Sequence, residues 1–242
     1  MKIFRIKNLR YVLTILLLVG IFSANVHAAN SSSKVSYEVG DIVKFGKFEQ
    51  DNNEANGKED IEWKVLDKND NLYLLISNKI LDNMQFNVTY GNVTYYNSTI
   101  RKYLNGTFYN TAFTGDEKSK ILKIKNKNSP NKKFNIDAGA DTDDNVFLLS
   151  LDEFIKYFGD NDSTYTNRNA NTIGTEYAYK RGLDVNYHEG MWCNGFSPYW
   201  LRTPGSYRTS AIYVASNGGY IVWGDAVNVN YGVRPCIWAQ IK

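Results

Sequence analysis

The chain has 242 residues, with 28 Lys and Arg against 25 Asp and Glu and a formal net charge of +3. Four of the basic residues and none of the acidic ones lie in residues 1–28, which leaves 24 basic against 25 acidic side chains in the remainder. This balance does not favour nucleic acid as a partner. The lysine-rich stretch over residues 118–133 is a local exception, and we interpret it as a solvated surface.

The N-terminus has the order of segments that is typical of a secretory signal peptide. A basic stretch over residues 2–10 precedes an apolar run over residues 11–22, and small residues follow at Val26-His27-Ala28. The apolar run is shorter than the ~20 residues of a membrane-spanning helix, so cleavage after Ala28 is favoured over a retained anchor. We expect an exported protein, extracellular or at the cell surface (periplasmic if the source has an outer membrane), with no membrane span after cleavage.

After residues 1–28, the sequence predicts a flexible leader over residues 29–38 and a single α+β domain over residues 39–242. Apolar runs, alternation and capping boxes indicate the elements. In chain order they are strands over 42–48, 61–66 and 72–77; a helix from Asn97-Ser98 to Asn105-Gly106; a capping box at 114–117; a loop over 126–143; a strand over 146–149; a helix from Ser150 to Gly159 and another over 175–181; and strands over 211–215, 220–223, 227–231 and 236–241. Asn217-Gly218 predicts a two-residue hairpin turn.

Two short motifs each place an arginine among apolar residues and follow it closely with proline: Tyr199–Gly205 contains Arg202, and Gly232–Pro235 contains Arg234. A buried guanidinium must find acceptors or an aromatic face, since an unpaired buried charge costs several kcal/mol or more. Both residues are therefore candidate ligand-binding groups that would bind an anion. The alternative, which we favour, is that they are structural and bind backbone carbonyls or carboxylates.

The two cysteines, Cys193 and Cys236, lie beside these motifs. In an exported protein such a pair is a candidate disulfide. The alternative is two separate buried thiols. His188 is the only histidine after the signal peptide, and a Cys193–His188 catalytic pair would be excluded by the disulfide.

Five ordered segments resemble a bacterial family of domains of unknown function, of the DUF 6273 type: residues 97–105, 146–153, 175–178, 199–205 and 232–235. The Gly-Val-Arg-Pro ending after several strands also resembles the C-type-lectin-like fold of formylglycine-generating enzymes (sulfatase-modifying factors). The resemblance implies antiparallel sheets with paired terminal strands, two or three short helices and long loops. It does not imply oxidase chemistry, because those enzymes use two cysteines that lie close together in sequence, and Cys193 and Cys236 do not.

Several aromatic residues near the C-terminus are candidates for stacking on a sugar ring. Tyr207, Tyr220 and Trp223 lie near predicted turns and are the better candidates, and Trp192 and Trp200 belong to the same set. The alternative is that most of these residues fill a strand-rich core.

Closely spaced carboxylates at Asp141, Asp143 and Asp144 are a candidate Ca²⁺ site. They lack the spacing of a known calcium loop, so a solvated acidic loop is the favoured alternative. The scarcity of catalytic groups points to a non-catalytic binding module for a glycan or a protein surface. The alternatives are an extracellular hydrolase or oxidase on the same scaffold and a structural envelope component. The sequence does not indicate the ligand or the oligomeric state.

Overall fold

The structure is a computed structural model that describes residues 36–162, 167–185 and 195–241. Within these residues the strands are β1 (Ile42–Phe48), β2 (Glu59–Asn69), β3 (Leu72–Ser77), β4 (Asp82–Gln85), β5 (Ile121–Leu122), β6 (Ile124–Asn126), β7 (Thr142–Asp144), β8 (Tyr199–Pro204), β9 (Ser210–Val214), β10 (Tyr220–Ala226), β11 (Asn230–Val233) and β12 (Cys236–Gln240). The helices are α1 (Thr99–Tyr103), α2 (Tyr109–Ala112), α3 (Gly115–Lys118), α4 (Leu151–Phe158) and α5 (Glu176–Lys180). This arrangement confirms the predicted α+β class.

Two five-stranded sheets and one two-stranded ribbon contain all of these strands. The first sheet has the order β1-β2-β3-β12-β5, the second has the order β10-β9-β8-β11-β4, and β6 pairs with β7. Every strand pair is antiparallel except β8 and β11. The terminal strands share the first sheet, but they do not pair with each other as predicted, because β2 and β3 lie between β1 and β12.

The first sheet is buried on both faces at β3, which explains the uninterrupted apolar run of this strand. Tyr73 and Leu75 pack on one face in a cluster that includes Trp63. Leu74 and Ile76 alternate with them and pack on the opposite face in a second cluster. A strand covered on both sides needs apolar residues at every position rather than at every second one.

The helices begin at the predicted capping residues. Ser98 caps α1 by accepting a hydrogen bond from the Arg101 amide. Thr114 and Ser150 form capping boxes at the starts of α3 and α4, with a glutamate three residues later in each case. Side-chain acceptors satisfy backbone N–H groups that have no partner in the first helical turn, so these starts could be predicted from local sequence.

The predicted end of the first helix at Asn105-Gly106 is wrong. The chain continues through a π-helical turn (Leu104–Phe108) directly into α2. Leu104, Phe108 and Ala112 are all buried in the core. The burial of these side chains outweighs the low helix propensity of Gly106.

Strand predictions near the middle and the end of the chain also need correction. In the predicted strand 146–149 only Phe147 makes strand-like pairs, with Cys236, and the predicted loop 126–143 contains part of the β6–β7 ribbon. The β9–β10 connection is longer than a two-residue turn, because Val214 pairs with Tyr220. None of the helices in the described residues is long and apolar enough to cross a membrane.

Candidate functional site

Arg202 is buried, with 2% of its surface exposed, and all five of its N–H donors have protein acceptors. Both terminal nitrogens bind the Glu153 carboxylate, with Nη2 to Oε1 at 2.9 Å. The remaining donors reach the carbonyl oxygens of Leu148 (2.6 Å) and Lys127 (3.1 Å) and the Asn128 Oδ1 (3.1 Å). A guanidinium whose donors are all used inside the protein has none left for a ligand.

Arg234 is 3% exposed and also lies in the interior. Its Nε donates to the Ser77 carbonyl at 3.0 Å, and its Nη1 donates to the Ala170 carbonyl at 2.9 Å and to the Tyr199 hydroxyl at 3.1 Å. The guanidinium carbon lies 5.1 Å from the centre of the Tyr199 ring. These contacts are the ones expected if both arginines stabilise the fold and do not bind a ligand. Neither arginine lines the groove described below.

Trp200 is a core residue and not a ligand platform. It is 1% exposed, packs edge-on against Phe86 and Tyr231, and donates its indole N–H to the Met84 carbonyl. All six residues of β8 are buried, so the first arginine motif forms part of the core.

The thiol of Cys236 is free and fully buried in the structure. Burial raises the pKa of this thiol above its ordinary value, which makes it a poor nucleophile. Its predicted partner Cys193 lies outside the described residues, as do His188 and Trp192, and the disulfide stays a prediction.

Tyr220 lines a groove of about 280 Å³ beside the outer edge of β10, here called the β10 groove. The loop before residue 134 forms one wall and α4 forms the other. The lining residues are Ser129, Pro130, Asn131, Lys132, Lys133, Leu151, Asp152, Ile155, Asp160, Asp162, Thr203, Tyr220 and Val222. The groove therefore combines an apolar floor with carboxylates and lysines.

Asn131 fixes the loop wall of the β10 groove. Its buried Nδ2 lies 3.0 Å from the Pro204 carbonyl oxygen, 3.1 Å from that of Gly205 and 2.8 Å from that of Val222. Gly205, one of these acceptors, itself packs tightly against β9 and β10, because a Cβ there would lie 2.3 Å from Ser210 Oγ and 2.3 Å from the Trp223 carbonyl oxygen. The glycine of the first arginine motif thus has a packing role beside the groove.

Polar side chains within the β10 groove pair with one another. The Tyr220 hydroxyl donates to Asp160 at 2.6 Å, and burial together with this carboxylate raises the pKa of the phenol. Lys132 lies 3.0 Å from Asp152. Burial opposes ionisation of Asp152, but hydrogen bonds from Lys132 and Ser129 outweigh it and lower the pKa of this carboxyl. At neutral pH the groove therefore presents an ionised Asp152 carboxylate that can accept hydrogen bonds from hydroxyl groups.

Exposed aromatic rings lie beside the β10 groove. Lys133 lines the groove, and its ammonium group lies 5.9 Å from the ring centres of Phe134 and Trp223. Trp223 is 51% exposed, Phe134 is 37% exposed and Tyr207 is 70% exposed. The Ser206 amide donates to the Trp223 carbonyl at 2.8 Å, so the backbone next to Tyr207 lies near Trp223, although Tyr207 does not line the groove.

The sequence predicted Tyr207, Tyr220 and Trp223 as ligand candidates, but it did not predict Asn131, Lys133 or Phe134. Those residues lie in a polar loop without periodicity, and the lysines there were interpreted as a solvated surface. Only the fold brings this loop to the edge of β10.

The candidate calcium ligands do not form one site. Asp143 is exposed, whereas Asp144 next to it on β7 is buried and accepts hydrogen bonds from Arg101 and Asn126. Asp141 accepts a hydrogen bond from the Asn128 amide. Neighbouring residues on a strand point to opposite faces, so Asp143 and Asp144 are poorly placed to share an ion.

One other group of carboxylates in the described residues lies close enough together to hold a metal ion. Ligand atoms of Glu49, Asp51 and Glu59 lie within 4.8 Å of one another. Asp51 and Glu59 line a second, larger cavity of about 700 Å³, here called the charged cleft, together with several lysines and Glu176. Hydrogen bonds, first of all from Asn56, lower the pKa of Asp51.

A family model described as "Domain of unknown function (DUF6273)" matches residues 70–241. The chain belongs to this family. No curated protein and no solved structure matches the chain. The part that matches the DUF6273 family contains every residue that lines the β10 groove, whereas Glu49, Asp51 and Glu59 precede it.

Proposed function

We propose that this DUF6273 domain is an exported, non-catalytic binding module that binds a glycan in the β10 groove. The observation that carries the proposal is the exposure of Trp223 and Phe134, whose rings lie near Lys133 in the wall of a groove with an apolar floor. Large exposed aromatic residues that lie together mark interaction sites more often than isolated ones do. The position of the groove inside the family match supports the same choice.

The chemistry of the groove suits a sugar. An aromatic face can pack against the C–H groups of a sugar ring, while carboxylates and amides accept and donate hydrogen bonds to its hydroxyl groups. Asp160 and Asp152 supply such acceptors, and Lys133 supplies a donor. The volume of about 280 Å³ is at the small end for ligand pockets, so the exposed rings would contact the part of the ligand that extends outside the groove.

We also propose that the fold is C-type-lectin-like. The presence of the first and last strands in one sheet and the long loop segments between few short helices support this assignment. An experimental structure compared with lectin-like domains tests it, and a different strand order in the two sheets would contradict it.

Glycan binding is tested with the chain from Ala29 onwards, first on a glycan array and then by calorimetric titration of the best ligand. We expect Trp223→Ala combined with Tyr207→Ala to weaken binding by about fivefold to a hundredfold, since each stacking contact is worth about 0.5–1.5 kcal/mol. Tyr96→Ala is the matched control, because Tyr96 is about as exposed as Trp223 but packs against Arg101, which does not line the groove. Binding only to proteins on a parallel protein array would contradict the glycan assignment.

A second candidate function is an extracellular hydrolase that uses the charged cleft. Carboxylate oxygens of Glu49, Asp51 and Glu59 lie within 4.8 Å of one another, and two close carboxyl groups, ~5–5.5 Å apart, are the catalytic arrangement of retaining glycosidases. Turnover of chromogenic glycosides that is abolished by Glu59→Gln and retained by Glu38→Gln, whose exposed carboxylate pairs with Lys68 outside the cleft, would support the hydrolase function. Absence of turnover, both with and without Ca²⁺, would contradict the hydrolase function.

A further inference from the structure

Three buried side-chain oxygens on the β6–β7 ribbon and on the turn before α1 have no hydrogen-bond partner among the described residues. They are the hydroxyl of Tyr95, Oδ1 of Asn126 and Oγ1 of Thr142, and each residue is at most 2% exposed. Nearly all buried polar atoms in proteins have a partner, either from the protein or from an ordered water. Three such atoms together require an explanation.

Two of these oxygens face each other across the β6–β7 ribbon. Asn126 and Thr142 are directly opposed in the antiparallel pairing, which places their Cβ atoms about 4.5–5.5 Å apart on the same face. The Nδ2 of Asn126 donates to Asp144 Oδ2 at 2.9 Å. A carboxylate needs a donor, so this bond fixes the orientation of the amide and leaves its oxygen without a partner.

The turn that carries Tyr95 lies against the same ribbon. Tyr95 belongs to the short turn immediately before α1. Arg101 of α1 donates to the Tyr96 carbonyl at 2.9 Å and to Asp144 at 2.7 Å, so it joins this turn to β7. Burial raises the pKa of the Tyr95 phenol, and the negative charge of Asp144 raises it further. The turn and the ribbon therefore meet next to Asp144.

The charges in this region indicate a neutral occupant. Arg101 compensates Asp144, and Glu153 compensates Arg202. An added cation would be buried without a counter-charge, which is costly. A water molecule can donate to Asn126 Oδ1 and to Thr142 Oγ1 and can accept a hydrogen bond from the Tyr95 hydroxyl, so it satisfies all three groups.

We propose that one internal water molecule bridges Tyr95, Asn126 and Thr142 and connects the β6–β7 ribbon to the turn before α1. The segment between β6 and β7 carries residues 129–133, the loop wall of the β10 groove. It also carries Asn128, which accepts a hydrogen bond from Arg202. The water and Arg202 thus fix the base of the same loop from two sides.

A high-resolution crystal structure of the chain from Ala29 onwards tests the inference. We expect a water peak within about 2.6–3.2 Å of all three oxygens. A direct hydrogen bond between these side chains, a region without a peak, or a peak with the ligand number and distances of a metal ion would each overturn it.

Thr142→Val keeps the side-chain shape and removes one water ligand. We expect the water peak to be lost and amide hydrogen exchange over residues 124–128 to rise several-fold, with the same direction for Tyr95→Phe. The matched control is Thr172→Val, because the buried Thr172 hydroxyl donates directly to the Asn78 carbonyl at 2.7 Å. The control should leave both the peak and the exchange at 124–128 unchanged, and an unchanged peak in Thr142→Val would contradict the bridge.

Discussion

Arg202 and Arg234 are both buried, but different groups compensate their charges. Arg202 forms a two-point ion pair with Glu153. Arg234 has no carboxylate partner among the described residues and relies on carbonyl oxygens and on the faces of Tyr199 and Phe158. Each side chain connects segments that are far apart in sequence, so at the residue scale the two motifs stabilise the fold and support the groove indirectly.

Removal of the Arg202 side chain should strongly destabilise the domain. Arg202→Ala leaves Glu153 without its cationic partner and leaves two carbonyl oxygens and Asn128 Oδ1 without their Arg202 donors, and we expect the free energy of unfolding to fall by about 3 kcal/mol. Urea denaturation measures this change. Arg208→Ala is the control: its ion pair with Asp137 is exposed, and such pairs contribute about 0–1 kcal/mol. Equal losses in the two variants would contradict the structural role of Arg202.

Gly205 should tolerate no larger side chain. A Cβ at this position would lie 2.3 Å from Ser210 Oγ and 2.3 Å from the Trp223 carbonyl oxygen. Gly205→Ala should therefore cost about 1–3 kcal/mol of unfolding free energy, whereas Gly115→Ala, where nothing lies within 4 Å, should not destabilise. Thermal unfolding of both variants checks this, and equal melting temperatures would contradict the close packing of Gly205 against Ser210 and Trp223.

At the scale of elements, α4 connects the β10 groove to the core. Phe154 and Phe158 are buried on one side of this helix, while Leu151, Asp152 and Ile155 line the groove on the other. Glu153 serves both as the capping-box residue and as the partner of Arg202. A shift of α4 would therefore change the core, the cap and the groove together.

The contact between α4 and β2 predicts a pH dependence of stability. A hydrogen bond from Lys156, at 2.8 Å, lowers the pKa of Asp67 in the folded state. A carboxyl with a lowered folded pKa adds stability above its unfolded pKa of about 3.9 and loses it as the pH falls through the folded pKa. The unfolding free energy should therefore decrease below about pH 4, and Asp67→Asn should reduce this decrease.

Asp70→Asn is the control for this pH series. Asp70 lies in the exposed β2–β3 turn without an ion-pair partner among the described residues, at a positive φ of 55° that asparagine also adopts. The unfolding free energy of Asp70→Asn should depend on pH in the same way as that of the unmodified chain. A pH profile of Asp67→Asn that coincides with the control would show that the α4–β2 contact contributes nothing.

At the scale of the whole molecule, the sequence predicted the elements that depend on local signals. β1 and β3 have the predicted bounds because alternation and a continuous apolar run are visible in single segments. The start of α4 followed from Ser150 and Glu153 in the same way. The α+β class follows from the order of such elements.

Long-range contacts set the features that the sequence did not predict. The hydrogen bond from Asn131 to Val222 joins residues 91 positions apart, and it creates the loop wall of the groove. The helix continues past Gly106 because the side chain of Phe108 is buried in the core. By residue type alone, Trp200 could not be distinguished from the exposed aromatic residues. Only the sheet order shows that both faces of β8 are covered.

Hydrogen-exchange mapping of the chain from Ala29 onwards, with and without the best glycan from the array, tests the central proposal most directly. We predict reduced exchange over residues 129–133 and 220–223 and at the start of α4, with no change around Glu49, Asp51 and Glu59. Reduced exchange confined to the loop that carries those three carboxylates would contradict the proposal and place the ligand in the charged cleft.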